Sequence, residues 1–198
     1  MKKIMFNDKY GLTDAVLRGC KTMTRRFFDY EKPKKQWDEM CRLGTPCYSS
    51  FEDFLIKKVS KYKVGEEVAV AQKYWDLRNC NAFYETLAKA DPYFPLECIK
   101  YEKGCNNKMF VKAQWMPHRI RITGIKVERL QDIREEDCLR EGIKKMEGGM
   151  PYRFDDNGKV HLSADPRMLF ADLIDRISGR GTWQSNPWVY VYTFELIK

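Results

Sequence analysis

Apolar and polar positions alternate most clearly near the end of the chain. After Pro187, the residues Trp188, Tyr190, Tyr192 and Phe194 interleave with Val189 and Val191, so both faces of the predicted strand are apolar. A strand covered on both faces belongs in the middle of a sheet. Residues 118–130 predict a second strand, with Ile120 and Ile122 on one parity and Ile125 and Val127 on the other. The switch at Thr123-Gly124 predicts a bulge or tight turn, since an uncorrected one-residue slip sends every later side chain to the wrong face. Arg119 and Arg121 then project away from the apolar face as a short basic ladder, either a phosphate-contacting surface or a solvated one. A shorter alternation over 64–71 sets Val68 and Val70 on one side, after the turn-like Val64-Gly65-Glu66.

Helical spacing is strongest at Leu169, Leu173, Ile174 and Ile177, a stripe opened by Pro166 and ended by Gly179. Phe51, Leu55, Val59 and Tyr62 share a second face, with Ser49 and Glu52 spaced as a capping box. Residues 135–141 form a helix with an acidic first turn and Gly142 just past its end. Thr13 is placed to cap a short helix over 14–18 that stops at Gly19. Two stretches read as insertions: about 27–63, rich in aromatics and lysines, and about 77–107, with a helical run around Ala82 to Ala90. Gly148, Gly149, Asn157 and Gly158 read as a mobile connection. Antiparallel-looking strands, helices clustered between them and no βαβ rhythm predict an α+β fold, a small mixed barrel spanning 1–198, rather than a doubly wound sheet. Neither a Walker motif nor G-x-G-x-x-G occurs, which disfavours P-loop nucleotide hydrolysis.

The 198 residues suffice for one well-packed domain, and 43% hydrophobic with 32% charged residues is an ordinary globular balance. Only Ile4, Met5 and Phe6 follow the leading lysines before polar residues return, too few for a signal peptide. No run approaches the about 18 apolar residues that span a bilayer. A cytoplasmic protein without membrane contact is therefore expected. Seven cysteines, an odd number, predict reduced thiols; no C-x-x-C pair occurs, and His118 and His161 lie far from any cysteine pair, so no zinc site and no cofactor is implied. A net charge of +8 favours polyanionic partners through steering and counterion release, without identifying one.

Candidate chemistry concentrates in Gly19-Cys20-Lys21-Thr22-Met23-Thr24-Arg25-Arg26, where a helix-ending glycine, two hydroxyls and three cations fall within eight positions. Extended, the segment would put Thr22, Thr24 and Arg26 on one side; turned or helical, it would bring Lys21 to Thr24 at i, i+3. A lysine of depressed pKa beside a threonine can deprotonate the hydroxyl, while Arg25 or Arg26 steadies a phosphate or oxyanion. A solvated basic loop is the other reading of the same residues. Tyr74 and Trp75 either stack on a base or pack in the core. His118, beside Pro117, is either a phosphate or acid-base group or a structural histidine.

The order of these pieces resembles the ASCH domain family, relatives of the PUA fold. G-x-K-T-x-T-x-R follows a short helix, then come a V-G-E-x-V strand, an R-I-T-x-I-x-V strand, an E-E-D-x-x-x-E-G helix and an aromatic last strand. The resemblance covers about residues 4–26, 64–75, 108–143 and 167–198 and leaves the two insertions outside. It implies a PUA-like β-barrel with flanking helices and a pocket at its mouth that recognises RNA or a nucleoside or nucleotide. Some small members hydrolyse the acetyl amide of N4-acetylcytidine with a lysine, a threonine and a glutamate, which correspond here to Lys21, Thr24 and Glu141. Where the motif more usually ends in glutamate this chain has Thr24, as in that amidohydrolase-like subset. Three functions are thus in view: an RNA- or nucleoside-binding module, with Gly19, Thr22, Arg25, Arg26, Tyr74, Trp75, His118, Arg119 and Arg121 as candidate contacts; an N4-acylcytidine amidohydrolase using Lys21, Thr24 and Glu141; and an accessory module that binds a partner protein through its insertions.

Overall fold

The computed structural model describes residues 1–45, 47–146 and 151–197. In chain order the elements are β1 (Lys2–Ile4), α1 (Leu12–Leu17), β2 (Met23–Phe27), α2 (Glu31–Arg42), α3 (Phe51–Phe54), β3 (Glu67–Val70), α4 (Asn81–Ala90), β4 (Arg119–Arg129), α5 (Glu135–Arg140), β5 (Lys144–Lys145), β6 (Tyr152–Asp156), β7 (Lys159–Ser163), α6 (Pro166–Ser178), α7 (Thr182–Ser185) and β8 (Trp188–Ile197). This is a mixed α+β fold with two sheets, ordered β1-β3-β4-β8-β2 and β5-β6-β7. No helix among the described residues is long and apolar enough to cross a membrane.

β8 pairs antiparallel with β4 on one side and β2 on the other, the interior position that its two apolar faces predict. The register of β4 against β8 shifts between Ile122 and Gly124, where the change of parity calls for a bulge. Glycine is favoured there, because a Cβ would stand 2.6 Å from the Thr193 hydroxyl and force that side chain to move. Among the described residues β1 pairs in parallel with β3, β2 pairs only with β8, and both are edges of an open sheet. The expected closed barrel is therefore not formed by the described residues. Closure would need β1 and β2 to pair, but β1 has only three residues, and Arg26 Nη2 instead reaches across the seam to the Met5 carbonyl, at 2.5 Å.

The main core lies between the large sheet and α6, whose Leu169, Leu173 and Ile174 are buried, with Ile177 packed against them. α6 begins at Pro166 under an Asp165 cap and ends at Gly179 with φ 110°, as its sequence predicts. The first insertion packs on the same core: Tyr30 stacks on Trp188 at 4.8 Å, and Trp37 meets Phe54 at 5.7 Å. The expected Ser49–Glu52 capping box does not form. The cap is Ser50, whose side chain accepts from the Asp53 amide, while Asp53 accepts from the Ser49 amide one residue before the cap. Thr13 is not a cap either; α1 starts from left-handed Gly11, and the Thr13 hydroxyl donates to Asp8 at 2.5 Å.

β3 divides its side chains between two cores. Val68 and Val70 join the main one, whereas Ala69 and Ala71 face a second built by Tyr74, Leu77, Phe83, Leu87, Trp115 and Met116. The second insertion thus brings its own apolar centre. The glycine-rich connection is in part a hairpin: β6 and β7 pair through the turn Asn157-Gly158, both with positive φ. Gly148 and Gly149 lie outside the described residues.

Candidate active site

The segment 19–26 is a helix end followed by a strand. Gly19, at φ 73°, lets the chain leave α1, after which the Cys20 and Lys21 amides both donate to the Ala15 carbonyl. From Met23 the chain is extended, with Thr24 paired to Tyr192, so Thr24 and Arg26 share one side, as the extended reading predicts. Opposite, α5 ends at Glu141, and Gly142 comes so close that a Cβ would lie 2.9 Å from Leu12. The end of α1, the start of β2 and the end of α5 therefore converge.

At this junction Lys21 Nζ donates to Glu141 Oε2 and to the Glu141 carbonyl, both at 2.6 Å. The pair is almost wholly buried, with Lys21 2% and Glu141 4% exposed. Burial lowers the Lys21 pKa; Glu141 offsets that in part, and Arg26 and Arg25 add to the lowering. Arg25 Nη1 holds the other Glu141 oxygen at 3.0 Å. The same guanidinium donates to Glu128 Oε1 at 2.6 and 3.1 Å and to Asp137 at 3.4 Å, while Lys126 lies 2.7 Å from the second Glu128 oxygen. Burial works against the Arg25 charge, but Glu141 and Glu128 together hold its pKa above the ordinary value. Glu141 is thereby fixed through both oxygens, by Lys21 on one side and Arg25 on the other.

Above the pair lies a cavity of about 550 Å³ whose walls include Phe6, Lys21, Thr24, Arg26, Glu141 and Phe170. Thr24 is 4% exposed. Arg26 differs from Arg25: it has no carboxylate within ion-pair distance among the described residues, and its one protein hydrogen bond there is to the Met5 carbonyl. It lies over the Phe6 ring at 5.6 Å, and burial lowers its pKa against the pull of Tyr62 and Glu141. The cation facing the cavity without a carboxylate partner is thus Arg26, with most of its five N–H donors unspent.

The other sequence candidates fall elsewhere. Gly19 is a conformational requirement, and Thr22 accepts from Arg140 Nε at 3.3 Å. Tyr74 is a member of the second core, stacked on Phe83 at 5.6 Å. Trp75 is exposed, with the Arg78 guanidinium over its ring at 4.4 Å. His118 Nδ1 lies 2.6 Å from Gln72 Oε1, and burial lowers its pKa. Arg121 is paired with Glu67 at 3.1 Å and Glu195 at 3.3 Å, and neither it nor Arg119 lines the cavity. Of the basic ladder, Arg121 is thus neutralised by its neighbours.

Sequence reasoning missed Glu128, Asp137, Phe6 and Lys108. Glu128 left a signal, because after the bulge Lys126 and Glu128 share a parity opposite to Ile125 and Val127. Lys108 left none: it lies just after the second insertion, ion-pairs with Asp8 at 2.7 Å and donates to the Phe6 carbonyl. Among the described residues no group of three or more His, Cys, Asp or Glu is placed to hold a metal ion, and the seven cysteines are free thiols. No protein-family model matches the chain, and neither a curated protein nor a solved structure shows significant similarity to it.

Proposed function

We propose that the chain is an ASCH-like, PUA-related domain whose cavity binds a cytidine-type nucleoside and hydrolyses an acyl amide on its exocyclic nitrogen. The observation that carries this reading is that Lys21 and Thr24, from the α1–β2 segment, and Glu141, at the end of α5, line one cavity, with Lys21 and Glu141 both buried and joined at 2.6 Å. The open sheet is then an incompletely closed barrel, with its pocket at the β1–β2 seam.

In this reading the buried Lys21, in its amine form, accepts the hydroxyl proton as Thr24 Oγ1 attacks the acyl carbon. The proton passes to the departing ring-bound nitrogen as the C–N bond breaks, and water then resolves the acyl-threonine ester. Glu141 orients Lys21 and balances the charge it carries between these transfers. A volume of about 550 Å³ suits one nucleoside, within the range of about 300–1,000 Å³ common for small-molecule pockets.

Incubation with N4-acetylcytidine, followed by chromatography for cytidine, tests the proposal. Release by the wild type, lost in Lys21→Ala and Glu141→Gln that remain folded, is the expected result. Folded wild type without turnover would exclude this reaction.

A further inference from the structure

Beside the first cavity lies a second, of about 290 Å³, which shares Met5, Arg26 and Phe27 with it. Half of its remaining lining residues are aromatic: Phe28, Tyr62, Tyr190 and Tyr192. The three tyrosine hydroxyls are already satisfied, by the Lys3 carbonyl, the Leu55 carbonyl and Ser60 at 3.0, 3.2 and 3.0 Å, so what they present to the cavity is ring surface. The rings are held by one another, Phe28 on Tyr190 at 4.3 Å and Tyr62 edge-on to Tyr192 at 5.1 Å. Burial pushes the Tyr62 hydroxyl up to about 12, so it stays neutral at ordinary pH.

Of the residues shared by the two cavities, Arg26 is the charged one, a guanidinium over the Phe6 ring whose side-chain hydrogen bond among the described residues is to one carbonyl. Lys61 stands at the rim of the second cavity, exposed, with its ammonium 5.3 Å from the Tyr62 ring centre. Aromatic walls on one side, a catalytic constellation on the other and a cation without a carboxylate between them define three subsites in a row.

We infer that the ligand extends across both cavities: a second planar ring lies in the tyrosine-walled cavity, and an anionic linker rests on Arg26. A dinucleoside monophosphate has this chemistry, whereas a free nucleoside fills only the first cavity. The inference rests on the proposed function for the identity of the ring in that first cavity. Arg26 and the tyrosines then select the substrate without taking part in acyl transfer, and Lys61 adds a second cation for the linker.

Isothermal titration with the unacylated products separates the two claims. Cytidine, cytidine 3′-monophosphate and cytidylyl-(3′→5′)-cytidine are titrated into wild type, Arg26→Gln and Val59→Trp, the last of which fills the second cavity from its wall. In the wild type the dinucleoside monophosphate is expected to bind at least about tenfold more tightly than cytidine. Arg26→Gln abolishes the gain from the phosphate, whereas Val59→Trp keeps that gain and removes the part added by the second nucleoside. Equal affinity for cytidine and the dinucleoside, or a gain that survives both substitutions, overturns the inference and leaves the proposed function standing. Absence of saturable binding by all three compounds overturns the inference, while turnover of N4-acetylcytidine decides the proposed function separately.

Discussion

Arg25→Met isolates the part of the site that positions rather than reacts. Arg25 is 6% exposed and donates to three carboxylates, those of Glu141, Glu128 and Asp137. Methionine keeps much of the stem and removes every donor, so three carboxylates lose a shared cation in a place with little water. Removing one partner of a buried pair costs about 3–5 kcal/mol. Lys21, Lys126 and Arg140 remain beside the carboxylates, which puts the expected loss near the lower end, about 3 kcal/mol. In a chain of this size each kcal/mol lowers Tm by about 2–4 °C, so the melt should fall by about 6–12 °C. Urea unfolding followed by circular dichroism measures the loss, and Glu128→Gln with the double variant completes the cycle. Residues that share a hydrogen-bonded network couple by about 0.5–3 kcal/mol, so the double variant should be less damaged than the sum of the singles. A loss below about 1 kcal/mol, or effects additive within about 0.3 kcal/mol, would refute the claim that Arg25 holds the network together.

Gly124→Ala should cost about 1–3 kcal/mol, because its Cβ meets the Thr193 hydroxyl at 2.6 Å, and Thr193→Ala should restore most of that; wild-type stability in the single variant would contradict the bulge geometry. The Cys138 thiol is pushed up to about 12, chiefly by burial, so iodoacetamide at about pH 8 should label exposed Cys20, Cys41 and Cys47 and spare Cys138 until the protein is denatured. Rapid labelling of Cys138 in the native protein, read by peptide mass spectrometry, would sink that expectation. Tyr62 ionises near 10 when unfolded but near 12 when folded, again chiefly through burial. Its stabilisation is therefore complete below pH 10 and lost as pH rises toward 12, so Tyr62→Phe should unfold with a shallower alkaline slope than wild type. Identical slopes would place the titration elsewhere.

What the sequence made legible follows the strength of its periodicity. β8 and α6 were readable because nearly every position in them alternates or recurs at helical spacing, and the bulge of β4 because isoleucines occur on both parities around a glycine. The hairpin β6–β7 was not read despite its Asn157-Gly158 turn: Phe154 is buried, but Val160 and Leu162 are exposed, so no inward parity stands out. Lys21 and Thr24 stand out by residue type and Glu141 only through the resemblance, yet nothing local shows that Arg25 turns inward and Arg26 toward the cavity. Adjacent arginines of one strand take opposite sides, and which side holds the carboxylates is decided by β4 and α5, over a hundred residues away. Open or closed edges likewise depend on whether two distant short strands meet, which neither strand encodes alone.

The division of β3 between two cores has a consequence for how the protein breathes. The face turned to the main core carries valines, while the face turned to the second carries only the methyl groups of Ala69 and Ala71. Lifting the second insertion off the sheet therefore uncovers little apolar surface on β3 itself. It leaves the strand's ladder with β1 and β4 intact. The cost of opening the 77–107 region is therefore set not by β3 but by the rest of the second core, where Phe83, Leu87, Trp115 and Met116 are fully buried; the amides of β4 and β8, which such an opening leaves paired, should exchange hydrogen for deuterium last.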